Sequence, residues 1–280
     1  MGKPMARNLL AAGFDLTVQS RSAGPVDELV AAGATRGSDP AEVAAASDIT
    51  ITMLPDTPDV ELVLAGPRGV IEGAVPGSLV IDMSSIDPGA TRTMAAAFDA
   101  RGIAMLDAPV SGGERGAIDA ALSIMVGGSD VAFRRATPIF EALGKSIVHV
   151  GPSGAGQVAK ACNQLVVAAT IEAVAEALLL AERSGVDAAK VRAALLGGFA
   201  GSKILEVHGQ RMLDRSFAPG FRIRLHRKDA RIVEEAASAT STPIPAFTVV
   251  ARQLQRAVDA GDGELDHSGL FVELERLTSR

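Results

Sequence analysis

The stretch that decides the fold is "VGPSGAGQVAKACNQLVVAATIEAVAEALLLAERSGV", residues 150–186. A Gly-rich turn opens it, and from Gln157 to Ser184 apolar residues recur at helical spacing almost without interruption. Gly185 is a fitting stop. A helix as apolar as Val158 to Ala181 is expected to be enclosed on most sides, as a spine between domains or in a subunit interface. Its polar residues are therefore informative. Lys160 and Asn163 stand at i and i+3, with Gln164 at i+4 from the lysine, so all three share one face.

Before this stretch, helical segments alternate with short apolar runs, the pattern of βαβ units and a parallel sheet. The expected strands are Phe14–Gln19, Ile49–Met53, Leu79–Asp82, Ala104–Asp107, Ser123–Val126 and Ser146–Val150. Several end in polar or Gly/Pro-rich turns, "QSRSAG", "MLPDTPDV", "DMSSIDPG" and "DAPVSGG", and ligands of open α/β sheets bind at such carboxyl ends. After it the chain reads as helices, broken at "GGFAGS", "FAPGF" and "TPIP". Two domains follow, residues 1–150 and 151–280, the first α/β and the second all-α.

Composition narrows the function. The 280 residues are 48% hydrophobic and 21% charged, and the longest membrane-like run, Leu165 to Ala181, is interrupted by Glu172 and Glu176. No membrane partner is expected. The amino terminus lacks a signal-peptide pattern, which predicts a cytoplasmic address. The single cysteine, Cys162, cannot form an intrachain disulfide. Net charge is −6 with scattered basic residues, so no nucleic-acid partner is expected. His149, His208, His226 and His267 lie far apart without ligand spacing, so no metal is expected and each reads as structural or surface. Without tyrosine, no phenol can serve as proton donor.

The opening "MGKPMARNLL" reads as a phosphate-facing helix start. Gly2 would be the last glycine of a G-x-G-x-x-G turn, Pro4 suits the first helical turn, and Met5 follows it, although plain helix capping would look the same. After the strand "FDLTVQ" come Ser20, Arg21 and Ser22, where an arginine favours the 2′-phosphate of NADPH over NADH. In "PVSGG", the backbone N–H groups of Ser111, Gly112 and Gly113 can form a nest for a carboxylate, although a plain tight turn would look the same.

Together "MGKPMARNLL", "DMSSIDP", "DAPVSGGERGAIDAALSIMVGG", "GAGQVAKACNQ", "GGFAGS", "FAPGFRIRLHRKD" and "DHSGL" resemble the signature blocks of the β-hydroxyacid dehydrogenases, over residues 1 to about 275. The "PGFRIRLHRKD" block, Asn163-Gln164 and "DHSGL" most resemble the family's tartronate semialdehyde reductase branch. The resemblance implies a Rossmann-type NAD(P)-binding domain followed by an all-helical substrate and oligomerisation domain, in a homodimer or homotetramer. It implies NAD(P)H-dependent interconversion of a small β-hydroxy acid and its aldehyde, with 3-hydroxyisobutyrate as the alternative substrate. The catalytic lysine then falls at Lys160, with Asn163 orienting substrate beside Gln164. Ser111, Gly112 and Gly113 take the substrate carboxylate. Met53, Leu54 and Pro55 meet the dinucleotide, Ser85 its nicotinamide end, and Lys228, partnered by Asp229, approaches from the helical domain. Phe199, Gly201 and Ser202 are expected to close the substrate pocket. The family's first strand and first two fingerprint glycines have no counterpart here, which gives a further reading, a folded but catalytically impaired scaffold.

Overall fold

The computed structural model describes residues 1–278, and the chain divides into two compact units, Met1–Lys160 and a second beginning at Ala161.

The first unit runs α1 (Gly2–Ala11), β1 (Thr17–Val18), α2 (Ala23–Ala31), β2 (Thr35–Arg36), α3 (Pro40–Ala45), β3 (Ile49–Thr52), α4 (Thr57–Ala65), α5 (Val70–Gly73) and β4 (Leu79–Asp82). It continues through α6 (Pro88–Asp99), β5 (Ala104–Asp107), β6 (Val110–Ser111), α7 (Gly113–Ile118), β7 (Leu122–Gly127), α8 (Asp130–Leu143) and β8 (Gly144–Gly151) to the start of α9 (Ala155–Arg183). Helix starts follow local chemistry. Asp39, Asp56 and Asp87 each cap a helix whose first turn carries proline, and Ser129 caps α8.

Strands β3, β4 and β5 are parallel and in register, and their side chains alternate between two cores. Leu79, Ile81 and Leu106 pack with α1 and α8, whereas Val80 and Met105 pack with α4 and α6. The wholly parallel sheet expected from the sequence is not what forms. β7 runs antiparallel to β5 and β6, and β8 is parallel to β7. The helix between β6 and β7 has only six residues, about 9 Å, too short to carry the chain back along a strand. β1 and β2 form a separate two-stranded parallel sheet; among the described residues nothing pairs them with β3.

The second unit holds the body of α9 with α10 (Ala188–Leu196), α11 (Lys203–Leu213), α12 (Ile223–Ala239), α13 (Pro245–Ala257) and α14 (Leu270–Thr278). Ala168, Ile171, Ala175 and Leu178 of α9 join Leu205, Met212, Phe247, Leu254 and Phe271 in one core. α9 is enclosed on most sides and open along one face. Val158, Cys162, Val166 and Leu180 stay exposed along one stripe, because the period of 3.6 gives a long helix one face that its own unit leaves uncovered. By length and composition α9 could cross a membrane, at mean hydropathy 1.8, but half of that window is buried within the protein.

Candidate active site

The site begins where α9 meets the sheet. Asp107 ends β5, level with Asp82 of β4 and, through it, Thr52 of β3. Its carboxylate, 1% exposed, accepts the N–H of Gly154 at 2.7 Å and of Gln157 at 2.9 Å. These are N–H groups that a helix start leaves without an intrahelical partner. The approach is so close that a Cβ on Gly156 would lie 2.4 Å from the carbonyl oxygen of Met125 and 2.7 Å from that of Asp107. Burial pushes the Asp107 carboxyl above the usual carboxylate range, outweighing the Gly154 and Gln157 N–H groups that favour its ionised form.

A second layer of buried polar groups lies beside it. Thr52 Oγ1 donates to Asp82 Oδ1 at 2.8 Å, and the N–H of Leu54 donates to Ser84 Oγ at 2.9 Å. Burial also pushes Asp82 up, against hydrogen bonds from Ser84 and Thr52. Gln157, 1% exposed, donates through Nε2 to the Ser84 carbonyl at 2.9 Å and accepts the Ile86 N–H at 3.1 Å. Neither Asp107 nor Gln157 stood out in the sequence. A strand-terminal aspartate before a Gly-rich turn was the available signal.

Lys160, only 8% exposed, follows Gln157 by one turn of α9. Further along, Asn163 Nδ2 donates to Gln164 Oε1 at 2.8 Å, and Gln164 Nε2 donates to Asp229 of α12. Asp229 is ion-paired with Lys228 at 2.6 Å, and with side chains 13% and 3% exposed this is a buried pair. Lys160 and Asn163, predicted as catalytic, and Gln164, predicted to bind substrate, thus share one helix, and Asn163 and Gln164 are linked by hydrogen bonds to Asp229, which the ion pair joins to Lys228.

Ser111 ends β6, and Gly112 and Gly113 follow as exposed residues with φ of +132° and +63°, a conformation that disfavours most side chains. Phe199 is fully exposed, and Ser202 caps α11 by accepting the Leu205 N–H. Their proposed place at the pocket has no contact supporting it among the described residues.

The dinucleotide residues divide. α1 starts with no side-chain cap, and a Cβ on Gly2 would meet only Met53 Cβ at 3.8 Å, so its first turn is open to an anion; Pro4 lies in that turn. Ser20, Arg21 and Ser22 are exposed after β1, with Arg21 3.1 Å from Asp59. Met53 and Leu54 are partly buried, Pro55 is exposed, and Ser85 lies between the two residues that Gln157 holds. These donors fit a phosphorylated dinucleotide. Met5 is a correction: at 3% exposure it packs with Leu9 in the core, because it lies on the sheet-facing side of α1.

Three of the histidines, far apart in sequence, come together in space. His267 Nδ1 is 3.2 Å from His226 Nδ1, and its Nε2 is 3.2 Å from His208 Nε2. Helices α11 and α12 and the turn before α14 bring together residues 41 and 59 positions from His267. Burial, reinforced by His226 and His208, holds His267 well below its ordinary value. Ligand atoms of His208, Asp266 and His267 lie within 4.8 Å of one another. Yet Asp266 Oδ1 already accepts Ser268 N–H and Oγ–H, and Oδ2 accepts Gly220 and Phe221 N–H and meets Arg211 at 3.1 Å. With its lone pairs directed to these donors, Asp266 ties the 217–222 turn to the segment before α14.

Comparisons with known proteins identify the family of both units. Residues 1–151 match the NAD binding domain of 6-phosphogluconate dehydrogenase, and residues 154–273 match the NAD-binding domain of NADP-dependent 3-hydroxyisobutyrate dehydrogenase. The chain is 47% identical, over all of its length and 95% of the relative's, to 2-hydroxy-3-oxopropionate reductase of Escherichia coli K12. It is 38% identical to the NAD-dependent L-serine dehydrogenase of Pseudomonas aeruginosa, over 96% of this chain and 92% of that one. A structure of Mycobacterium tuberculosis 3-hydroxyisobutyrate dehydrogenase with L-serine superposes with a TM-score of 0.89 at 33% identity, covering 98% of this chain and 95% of that one. The chain belongs to the β-hydroxyacid dehydrogenase family, NAD(P)-dependent oxidoreductases acting on CH–OH groups.

Proposed function

We propose that the chain reduces tartronate semialdehyde (2-hydroxy-3-oxopropanoate) to D-glycerate, using NADPH in preference to NADH. The observation that carries this reading is the buried polar face of α9, with Lys160 one turn from the sheet-anchored Gln157, in a chain 47% identical to a reductase of that name. The nicotinamide, when bound, supplies the hydride. The Lys160 ammonium donates a hydrogen bond to the aldehyde oxygen, stabilises the negative charge that develops there, and gives that oxygen its proton, so that aldehyde, hydride and proton sum to the alcohol. Asn163 and Gln164 orient the hydroxyl and carbonyl of the substrate. The N–H groups at Ser111–Gly113 take its carboxylate. Gly2, Pro4 and the first turn of α1 face the pyrophosphate. Ser20, Arg21 and Ser22 face the ribose and its 2′-phosphate. Met53, Leu54, Pro55 and Ser85 line the dinucleotide, with Lys228 approaching the cofactor.

The enzyme is read as cytoplasmic and as a homodimer or homotetramer, for which the exposed apolar stripe of α9 provides a surface. The divided sheet of the first unit favours a second reading, a folded scaffold with impaired catalysis. Steady-state rates with tartronate semialdehyde, 3-hydroxyisobutyrate and L-serine, each with both cofactors in the matching redox state, decide among these. The highest kcat/KM for tartronate semialdehyde supports the proposal. Preference for another substrate contradicts it, and absence of turnover on all three supports the scaffold.

A further inference from the structure

We propose that Gln157 is a positioning residue: its side-chain amide clamps the peptide groups on both sides of Ser85 and so fixes the loop after β4 relative to Lys160. The amide acts as a strand neighbour would, its Nε2 donating to the Ser84 carbonyl at 2.9 Å and its Oε1 accepting the Ile86 N–H at 3.1 Å. Gln157 is itself held, since its backbone N–H donates to Asp107 at 2.9 Å. Lys160 lies three residues on, about 4.5 Å along the helix axis. The Ser84 side chain extends the same connection, accepting the Leu54 N–H at 2.9 Å. One buried side chain therefore ties two of the turns assigned to the dinucleotide to the helix that carries the proton donor.

The consequence is alignment. A clamp of this kind contributes little to holding either ligand, yet a shift of about 1 Å between hydride donor and proton donor costs on the order of a hundredfold in rate. The inference rests on the roles proposed for Lys160 and Ser85, but the clamp itself has a readout independent of them. In Gln157→Glu the protonated carboxyl reproduces both hydrogen bonds, one oxygen accepting from Ile86 and the O–H donating to Ser84. The ionised form points an acceptor at an acceptor, beside the buried carboxyls of Asp82 and Asp107.

The test uses Gln157→Glu and Gln157→Leu in the full chain. In Gln157→Glu, urea stability of the cofactor-free protein, read as the difference from wild type at the same pH, should be close to zero near pH 5 and grow increasingly unfavourable as pH rises toward 8.5, with kcat relative to wild type following the same profile. Gln157→Leu should lower kcat about tenfold to a hundredfold at every pH, with the NADPH dissociation constant, read by nucleotide fluorescence, changed less than fivefold. Variants that fold and bind NADPH, with kcat within twofold of wild type and no new pH dependence, overturn the proposal. If Gln157→Leu does not fold, Gln157→Glu at low and high pH decides alone. Should Lys160→Ala retain normal turnover while Gln157→Glu still loses stability relative to wild type as pH rises, the clamp stands and the role of Lys160 falls.

Discussion

Glu172 gives a direct physical test of the helical unit. It lies on α9, 4% exposed, and neither carboxylate oxygen has a hydrogen-bond partner among the described residues. Burial, with further repulsion from Glu176 and Glu273, pushes its carboxyl from 4.5 up to about 7. For an acid raised on folding, the stabilising state is the protonated one. Stability is therefore fully present below the unfolded pKa of 4.5 and declines as pH rises through the folded value of about 7. The difference of about 2.5 pH units, at about 1.36 kcal/mol each, amounts to about 3 kcal/mol at pH 8 and above. Glu172→Gln keeps the shape and cannot ionise. Its unfolding free energy minus that of wild type should carry a constant offset at low pH and rise by about 3 kcal/mol by pH 8. Urea unfolding of both proteins at pH 5, 6, 7 and 8 measures this, other titrating groups cancelling in the difference. A difference that stays flat across the series refutes the reasoning.

Two further outcomes follow from the first unit. Gly156→Ala places a Cβ 2.4 Å from a backbone carbonyl oxygen in a packed strand–helix junction, so it should destabilise the protein by about 2 kcal/mol or more and lower kcat, as melting and steady-state assays will show. Arg21→Ser should raise KM for NADPH about tenfold and leave KM for NADH nearly unchanged, the effect shrinking at high salt because the arginine side chain is 77% exposed. Equal changes for both cofactors would remove Arg21 from the 2′-phosphate.

What the sequence made legible was periodic. The helix from Ala155 to Arg183 and the one-face relation of Lys160, Asn163 and Gln164 follow from a period of 3.6, and Leu79–Asp82 and Ala104–Asp107 form strands with the expected bounds. What it hid was non-local. The antiparallel course of β7 depends on how far α7 travels, which no alternation of apolar residues encodes. His208, His226 and His267 look unrelated until three segments of the helical unit converge. Asp107 and Gln157 do their work through partners 50 residues away, so within "DAPVSGG" and "GAGQVAK" they read as ordinary members of a turn and a helix. Met5 failed for a simpler reason, since a residue in a phosphate-facing turn can still direct its side chain into the core.

The central claim is that the Lys160 ammonium supplies the proton that completes aldehyde reduction. Single-turnover reduction of tartronate semialdehyde by Lys160→Ala, with NADPH binding followed by fluorescence in the same preparation, tests it most directly. The account predicts a rate lower by about two to four orders of magnitude with the NADPH dissociation constant within about threefold of wild type. A folded Lys160→Ala protein that binds NADPH normally and turns over within a few-fold of wild type would contradict it.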